Sequence, residues 1–191
     1  LARCAYCEAD NVTGFDLLPV SRELVDFATR AMGGHLGLRI IFTRPLDERE
    51  HEHAAALLLL LSTRIHAWAA QLTRHAPSEL TALNADPAAE VEIGPTMAAV
   101  LAHAKEMEAA TAGRVDVTLL GSRLAAEHGH IGNTLLERRP YRLTLKTRTI
   151  DERQVLTGGA IARDAGTLLD LDGVGKGWIA DRAASLMVAA L

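Results

Sequence analysis

The stretch DEREHEHAAALLLLLSTRIHAWAAQL, residues 47–72, carries the strongest secondary-structure signal in the sequence. Its large apolar side chains recur every three or four residues, at Leu57, Leu61, Ile65, Trp68 and Leu72. This spacing predicts one continuous helix with a single apolar stripe. The longest apolar run, at 54–61, is much shorter than the ~18 residues of a membrane span. The pattern therefore indicates a helix of a protein core, and we expect no direct membrane span.

Weaker patterns predict the elements on either side of this helix. The helix-compatible stretch 21–32 offers Ser21 as an N-cap, and residues 36–44 have the composition of a strand. Residues 74–90 predict a loop with a short helical turn inside it. The first half of the chain is therefore expected to contain both helices and a strand.

A second long helix is predicted to begin at Pro95 and to end at residues 111–113. Its apolar stripe consists of Met97, Val100, Leu101, Ala104 and Met107. Residues 115–120 then predict a short extended piece and residues 122–129 a short helix. The polar segment 129–139, which contains glycine, predicts a loop.

The pattern changes in the last third of the chain. Residues 141–150 alternate apolar and polar side chains, residues 154–164 resemble a turn between two short strands, and residues 167–173 end the series as an antiparallel meander. Helical spacing returns from 177 to 191, so this end is expected to be cut rather than capped. We predict an α+β fold in which long N-terminal helices pack on a mostly antiparallel sheet.

The charge and the cysteines restrict the kind of partner. The 191 residues carry a formal net charge of −4, without the basic field that follows a phosphate backbone, so we expect no nucleic-acid partner. Cys4 and Cys7 form a single C-x-x-C pair, whereas a zinc site needs a second pair and a thioredoxin-like site a preceding strand. An incidental pair and a redox or shared metal role both stay open.

The stretch LDLDGVGKGWIADRAASL, residues 169–186, combines glycines with one lysine, Lys176. A glycine-rich turn before a helix N-terminus suits an anion such as phosphate. The stretch fails the P-loop pattern, since Asp170 and Gly177 stand at two required positions, and it fails the dinucleotide fingerprint as well. Asp170 and Asp172 would repel a phosphate unless a divalent cation or a sugar hydroxyl lies between them. A phosphoester site and a tight strand-to-helix connection are both compatible with this spacing.

Four ordered segments resemble the ApbE family, the FAD:protein FMN transferases. LDLDGVGKGWIADRAA resembles the family's D-L-G-G-I-A-K-G-Y-x-x-D segment, and RAMGG at 30–34 is similar to its M-G-T segment. RHAPSELTALN at 74–84 is similar to S-E-L-x-x-L-N, and TAGRVDVTLLGSRLAAEHG at 111–129 to S-G-G-A-F-D-x-T-V-x-P-L-x-x-x-W-G. Together the four segments cover residues 30–187.

The resemblance implies roles for seven residues. Those at the family's FAD-contacting positions are Met32, Arg114, Val115, Asp116, Asp170 and Lys176, and the one at a magnesium position is Gly173. Met32 would lie against the flavin, and Gly173 would offer its backbone carbonyl to the metal. Each residue also has a plainer explanation: Met32 as core packing, Asp116 as a turn residue and Lys176 as a solvated charge.

The resemblance also implies an activity. It is the Mg²⁺-dependent transfer of FMN from FAD to a threonine of a target protein, with release of AMP. The cofactors would be FAD, as a substrate, and Mg²⁺, and the partner a flavin-acceptor protein such as a redox subunit. We expect residues 1–29 to be an N-terminal extension and residues 30–191 an ApbE-like domain that is incomplete at its C-terminus. By family resemblance the location would be periplasmic or associated with the inner membrane.

Departures from the family pattern keep an alternative open. Arg114 and Val115 replace a small and an aromatic residue, Arg74 replaces another aromatic, and the family's H-x-I-x-D-P-x-T-G segment has no counterpart in the sequence. The alternative is a degenerate, non-catalytic ApbE-like protein that binds flavin or only a partner. A third possibility is an unrelated α+β fold with a tight glycine turn. No residue is assigned as the catalytic base.

Overall fold

A computed structural model describes residues 23–127, 143–150 and 155–191. In these ranges the chain forms five strands and five helices. In order they are β1 (Glu23–Ala31), β2 (Gly34–Phe42), α1 (Glu48–Leu72), α2 (Glu79–Ala85), β3 (Glu90–Ile93), α3 (Pro95–Ala110), α4 (Leu120–Glu127), β4 (Leu143–Ile150), β5 (Val155–Arg163) and α5 (Asp172–Ala190). The strands make two antiparallel sheets, β1-β2 and β3-β5-β4, so the predicted α+β class is confirmed.

The hairpin of β1 and β2 corrects the predicted helix at 21–32. Residues Glu23–Ala31 form a strand whose alternate side chains, such as Val25, point to the core, and they pair with β2 from Glu23↔Phe42 to Ala31↔Gly34. The two loop residues, Met32 and Gly33, both have positive φ, as a tight two-residue hairpin turn requires. A period-two pattern was therefore present where helix-forming residues suggested a helix. Ser21 lies outside the described residues.

Helix α1 confirms the prediction made from residues 47–72. It begins at the N-cap Asp47, whose side chain and that of Glu50 form a reciprocal capping box. By length and composition α1 could also cross a membrane, with 39% of its most apolar window buried in this fold. Its buried side chains face the core, and the helix packs against β1 and α5. One further contact is the edge-to-face pair of Trp68 and Trp178, with ring centroids 5.5 Å apart.

The three-stranded sheet corrects the predicted turn at 154–164. Residues Val155–Arg163 are one central strand, and the glycine pair within it marks close approach of its neighbours rather than a reversal of the chain. A Cβ at Gly158 would collide with the Ile93 carbonyl oxygen on β3, and a Cβ at Gly159 with the Lys146 carbonyl oxygen on β4. Strand β3 was not predicted.

Two further predictions for the second half of the chain are wrong. Residues 115–119 form turns instead of an extended piece, and residues 167–171 are an irregular connection instead of a strand. Helix α5 begins at Asp172, five residues before the predicted start, so the glycine-lysine stretch lies in the first turns of the helix. The second long helix and the helix after Leu119 are confirmed as α3 and α4, whereas residues 129–139 lie outside the described ranges.

The short helix α2 holds two other parts of the chain in place. Its N-cap Ser78 accepts from the backbone of Thr81, and the Glu79 carboxylate accepts from the Gly94 N–H at the start of α3, at 2.6 Å. At its other end, Asn84 Nδ2 donates to the Leu169 carbonyl at 2.9 Å and Asn84 Oδ1 accepts from the Leu169 N–H at 2.8 Å. The S-E-L-x-x-L-N resemblance therefore corresponds to a set of structural contacts.

We expect Asn84→Ala to lower the free energy of unfolding by roughly 2–4 kcal/mol, because two hydrogen bonds to fully buried Leu169 are lost together. Urea unfolding followed by tryptophan fluorescence measures the change. Gln71→Ala removes an exposed amide from α1 and serves as the matched control, with an expected change within about 0.5 kcal/mol. Equal effects of the two variants would contradict the anchoring role of Asn84.

Candidate functional site

A tight turn after α3 presents the first group of predicted site residues. Ala112 and Gly113 both have positive φ, and the Gly113 N–H donates to the Glu108 carbonyl, which closes the end of the helix. Thr111 Oγ1 then accepts from the Val115 N–H at 3.0 Å. These bonds reverse the chain so that residues 114–116 leave the end of α3 toward the start of α5.

Asp116 has a structural role in this turn. Its Oδ1 accepts from the Thr118 N–H at 2.8 Å and from the Thr118 hydroxyl at 2.6 Å, which is the geometry of an Asx turn. The next residue, Val117, accepts at its carbonyl from the Asp170 N–H at 2.8 Å. This bond joins the turn after α3 directly to the connection that precedes α5.

The connection before α5 presents the second group. Leu169 and Leu171 are fully buried and hold the backbone, and the side chain of Asp170 between them is 11% exposed. Asp170 Oδ1 accepts from the Asp172 N–H at 3.0 Å, and α5 begins there. Gly173 is exposed in the first turn of the helix.

A cavity of about 240 Å³ lies between these two groups. Its lining comprises Arg114, Val115, Asp116, Val117, Leu119, Arg123, Asp170, Gly173 and Val174. Five of the seven residues singled out from the sequence therefore meet at one cavity, although they come from segments about 55 residues apart. Because ligand pockets usually measure about 300–1,000 Å³, this cavity can take part of a dinucleotide and not the whole.

The other two predicted residues, Met32 and Lys176, lie outside this lining. Met32 is half-buried at the β1-β2 turn, in contact with the core, and a Cβ at Gly175 would lie 3.6 Å from its terminal methyl carbon. Lys176 is exposed on α5 and has no charged partner among the described residues. Residues three apart are neighbours on a helix surface, so Lys176 lies one turn along from Gly173. Contact of either residue with a flavin nucleotide stays a prediction.

A network of charged side chains beside the cavity was not predicted from the sequence. Arg123 on α4 donates through Nη1 to Asp170 at 2.7 Å and to Asp172 at 3.2 Å, and through Nε to Glu127 at 2.9 Å. Arg74, whose side chain is largely buried, reaches the same Glu127 oxygen at 3.0 Å. The i,i+4 spacing of Arg123 and Glu127 was the only local signal, because the two aspartates lie more than 45 residues further along the chain.

The network favours the charged forms of Arg123 and Glu127. Hydrogen bonds to Asp170 and Glu127 raise the pKa of Arg123 above its ordinary value, and the hydrogen bond from Arg123 lowers the pKa of Glu127. The side chains of Arg123 and Glu127 are both nearly half exposed, so this pair contributes modestly to stability. What the network fixes is the direction in which the two aspartates point.

The described residues do not by themselves make a magnesium site. No group of three or more His, Cys, Asp or Glu side chains with metal-binding geometry occurs among the residues the structure describes. Magnesium needs about six oxygen ligands, while the nearest carboxylates, Asp170 and Asp172, are already paired with Arg123. Gly173 lies inside α5, where its carbonyl is expected to accept from the amide four residues on. Its role as a metal ligand stays a prediction.

A second and larger cavity lies elsewhere in the fold. It measures about 440 Å³ and lies between the end of β2, the start of α1 and the end of α5, with Arg49 and His53 in its lining. No residue singled out from the sequence lines it. We therefore take the smaller cavity as the candidate site.

The fold and the smaller cavity define an α+β protein with a cleft of charged and apolar side chains at the start of a helix. The chain matches the model of the ApbE family over residues 37–190, and it therefore belongs to the ApbE family. This confirms the resemblance stated from the motifs. The match begins inside β2, so the similarity of residues 30–34 rests on the motif alone. A search of curated proteins returned no match to the chain.

The hydrogen bonds that Asp116 makes in the Asx turn can be tested separately from the charge of its carboxylate. Asp116→Asn keeps an oxygen acceptor for Thr118, so we expect its free energy of unfolding to stay within about 0.5 kcal/mol of the parent. Asp116→Ala removes both hydrogen bonds and should destabilise the protein by about 1–2 kcal/mol. Urea unfolding of the two variants measures the difference, and equal stabilities would show that the turn does not depend on this side chain.

Proposed function

We propose that this protein is an FAD:protein FMN transferase, which moves FMN from FAD to a threonine of a target protein and releases AMP. The observation that carries the proposal is the cavity itself. Within the region that matches the ApbE family, it brings together five residues to which the motif resemblance assigns contacts with FAD or magnesium. Members of this family are typically FMN transferases that use FAD and Mg²⁺.

The groups around the cavity suit different parts of FAD. One oxygen of Asp116 is taken up by Thr118, which leaves the other to accept from a ribose hydroxyl or an adenine amino group. Arg114 in the lining and Lys176 one helical turn away supply positive charge for the diphosphate. The size of the cavity fits one nucleoside portion, with the remainder of FAD along the start of α5.

The proposed reaction is a displacement at phosphorus. The threonine oxygen of the target forms a bond to the FMN-side phosphorus, the bridging P–O bond breaks, and AMP leaves with the bridging oxygen. The hydroxyl proton must pass to a base, and no described residue is assigned that role. What the chain contributes is positioning of the nucleotide and charge opposite its phosphates. Because the described residues do not form a magnesium site, no step is assigned to the metal.

The second candidate is a non-catalytic ApbE-like protein that binds flavin or a partner. A specific observation favours it: Arg123 already neutralises Asp170 and Asp172, and the described residues hold no metal cluster. Under the transferase proposal the target would be a flavin-acceptor protein. The expected compartment is the periplasm or the inner membrane, which fractionation of cells with a tagged copy would test.

The transferase proposal predicts two results in one experiment. FAD titrated into the protein should bind, and incubation with FAD, Mg²⁺ and a threonine-containing acceptor domain should give an acceptor band with flavin fluorescence in a denaturing gel. Omission of Mg²⁺ tests the metal requirement. Binding without a fluorescent acceptor favours the non-catalytic candidate, whereas no binding and no labelling would rule out both flavin-dependent proposals.

Lys176→Ala should weaken FAD binding by about 1–3 kcal/mol if the ammonium group contacts the diphosphate, because a hydrogen bond to a charged group is lost. Lys105→Ala, which removes an exposed lysine from α3, is the matched control and should leave the affinity unchanged. Isothermal titration calorimetry of both variants gives the comparison. If Lys176→Ala binds FAD as the control does, Lys176 is a solvated surface charge.

A further inference from the structure

Arg123 is the side chain that links the cavity to the charges around it. It lines the cavity from α4, it is 43% exposed, and it joins Asp170 and Asp172, which come from the opposite wall. No sequence motif singled it out. Arg123 is therefore a second arginine in the lining beside Arg114, and the one that is bonded to the acidic side chains.

The charge balance at the cavity poses a problem for a phosphate ligand. Asp116 and Asp170 line the cavity, and Asp172 follows two residues after Asp170, so a diphosphate that approached this space would come near acidic side chains. Like charges at these distances repel by several kcal/mol when partly shielded from water. Arg123 binds Asp170 and Asp172 together through one nitrogen, Nη1, and so neutralises much of that repulsion.

Within the described part of the chain, one nitrogen of Arg123 keeps its hydrogen-bonding capacity. Its Nε donates to Glu127 and its Nη1 to the two aspartates, while Nη2 has no partner among the described residues. A guanidinium has a rigid planar fork, and a fork held by three carboxylates is already ordered before a ligand arrives. Phosphate oxygens, like carboxylate oxygens, are acceptors that match the geometry of such a fork.

We propose that Arg123 is the residue that makes this cavity selective for a nucleoside diphosphate group: it neutralises Asp170 and Asp172 and offers Nη2 to a diphosphate oxygen. This inference rests on the proposed function, since it names how the same site recognises the diphosphate of FAD. It concerns binding and requires no transfer step, so it can be tested apart from catalysis.

The test compares ADP with adenosine, which lacks phosphate. Isothermal titration of both ligands into the full chain should show that Arg123→Gln weakens ADP binding about 10- to 100-fold, as expected for a lost charged hydrogen bond. Adenosine binding should change less than about threefold. Arg123→Lys keeps the charge without the fork and should fall between the parent and Arg123→Gln for ADP. Arg64→Gln, at an exposed arginine of α1, is the matched control and should leave both affinities unchanged.

The ratio of the two affinities separates recognition from a structural effect. Equal losses for ADP and adenosine in both Arg123 variants would mean that Arg123 only maintains the fold, and the inference would be overturned, as it would if the parent failed to bind ADP. A selective loss of ADP affinity in a parent protein that never labels an acceptor would support the inference and contradict the transferase proposal. If the parent protein labels an acceptor but the Arg123 variants leave the ratio of ADP to adenosine affinity unchanged, the result would support the transferase proposal and contradict the inference.

Discussion

The paired hydrogen bonds between Asn84 and Leu169 are the constraint on which the candidate site depends. They tie the end of α2 to an irregular connection whose neighbouring side chains, Leu169 and Leu171, are fully buried. Arg163 adds to the same junction, because its buried guanidinium donates to the carbonyl oxygens of Leu83 and Thr167. With the backbone fixed there, Asp170 lines the cavity and α5 starts beside the turn that follows α3. The cavity is the space left between these two pieces of chain.

The chemistry of this cavity depends on a balance between acidic and basic side chains that lie close together. Carboxylates suit the hydroxyl and amino donors of a nucleoside, but they repel its phosphates. Arg123 resolves part of this conflict by bonding to Asp170 and Asp172 at once, and Glu127 holds the other side of the same guanidinium. Both aspartates are therefore paired with a cation that the chain itself supplies.

The sequence predicted the parts of the fold that local physics determines. The apolar stripe of α1 and Pro95 at the start of α3 are local signals, and both were predicted. The glycine pair of β5 was misinterpreted because its cause is the approach of β3 and β4, which no local pattern contains. The β1 error came from weighing helix propensity above a period-two pattern that only pairing with β2 makes decisive.

The candidate site also has residues that the sequence predicted and residues that it did not. Residues 114–116 and Asp170 were found through motifs, and the structure brings them to one cavity, whereas Met32 and Lys176 lie outside its lining. Arg123 could not be predicted from the sequence, because its partners Asp170 and Asp172 come close to it only in the folded chain. The SELTALN segment was recognised as a motif, but its role in positioning the connection before α5 became clear only from the bonds of Glu79 and Asn84.

The most direct measurement is an amide NMR titration of the labelled protein with FAD, because it asks where the nucleotide lies. If FAD occupies the cavity between the turn after α3 and the start of α5, the largest shifts will fall on Val115, Asp116, Gly173 and Val174. Shifts centred on Arg49 and His53, which line the larger cavity, or no saturable shifts at all, would contradict the placement of the nucleotide at this site.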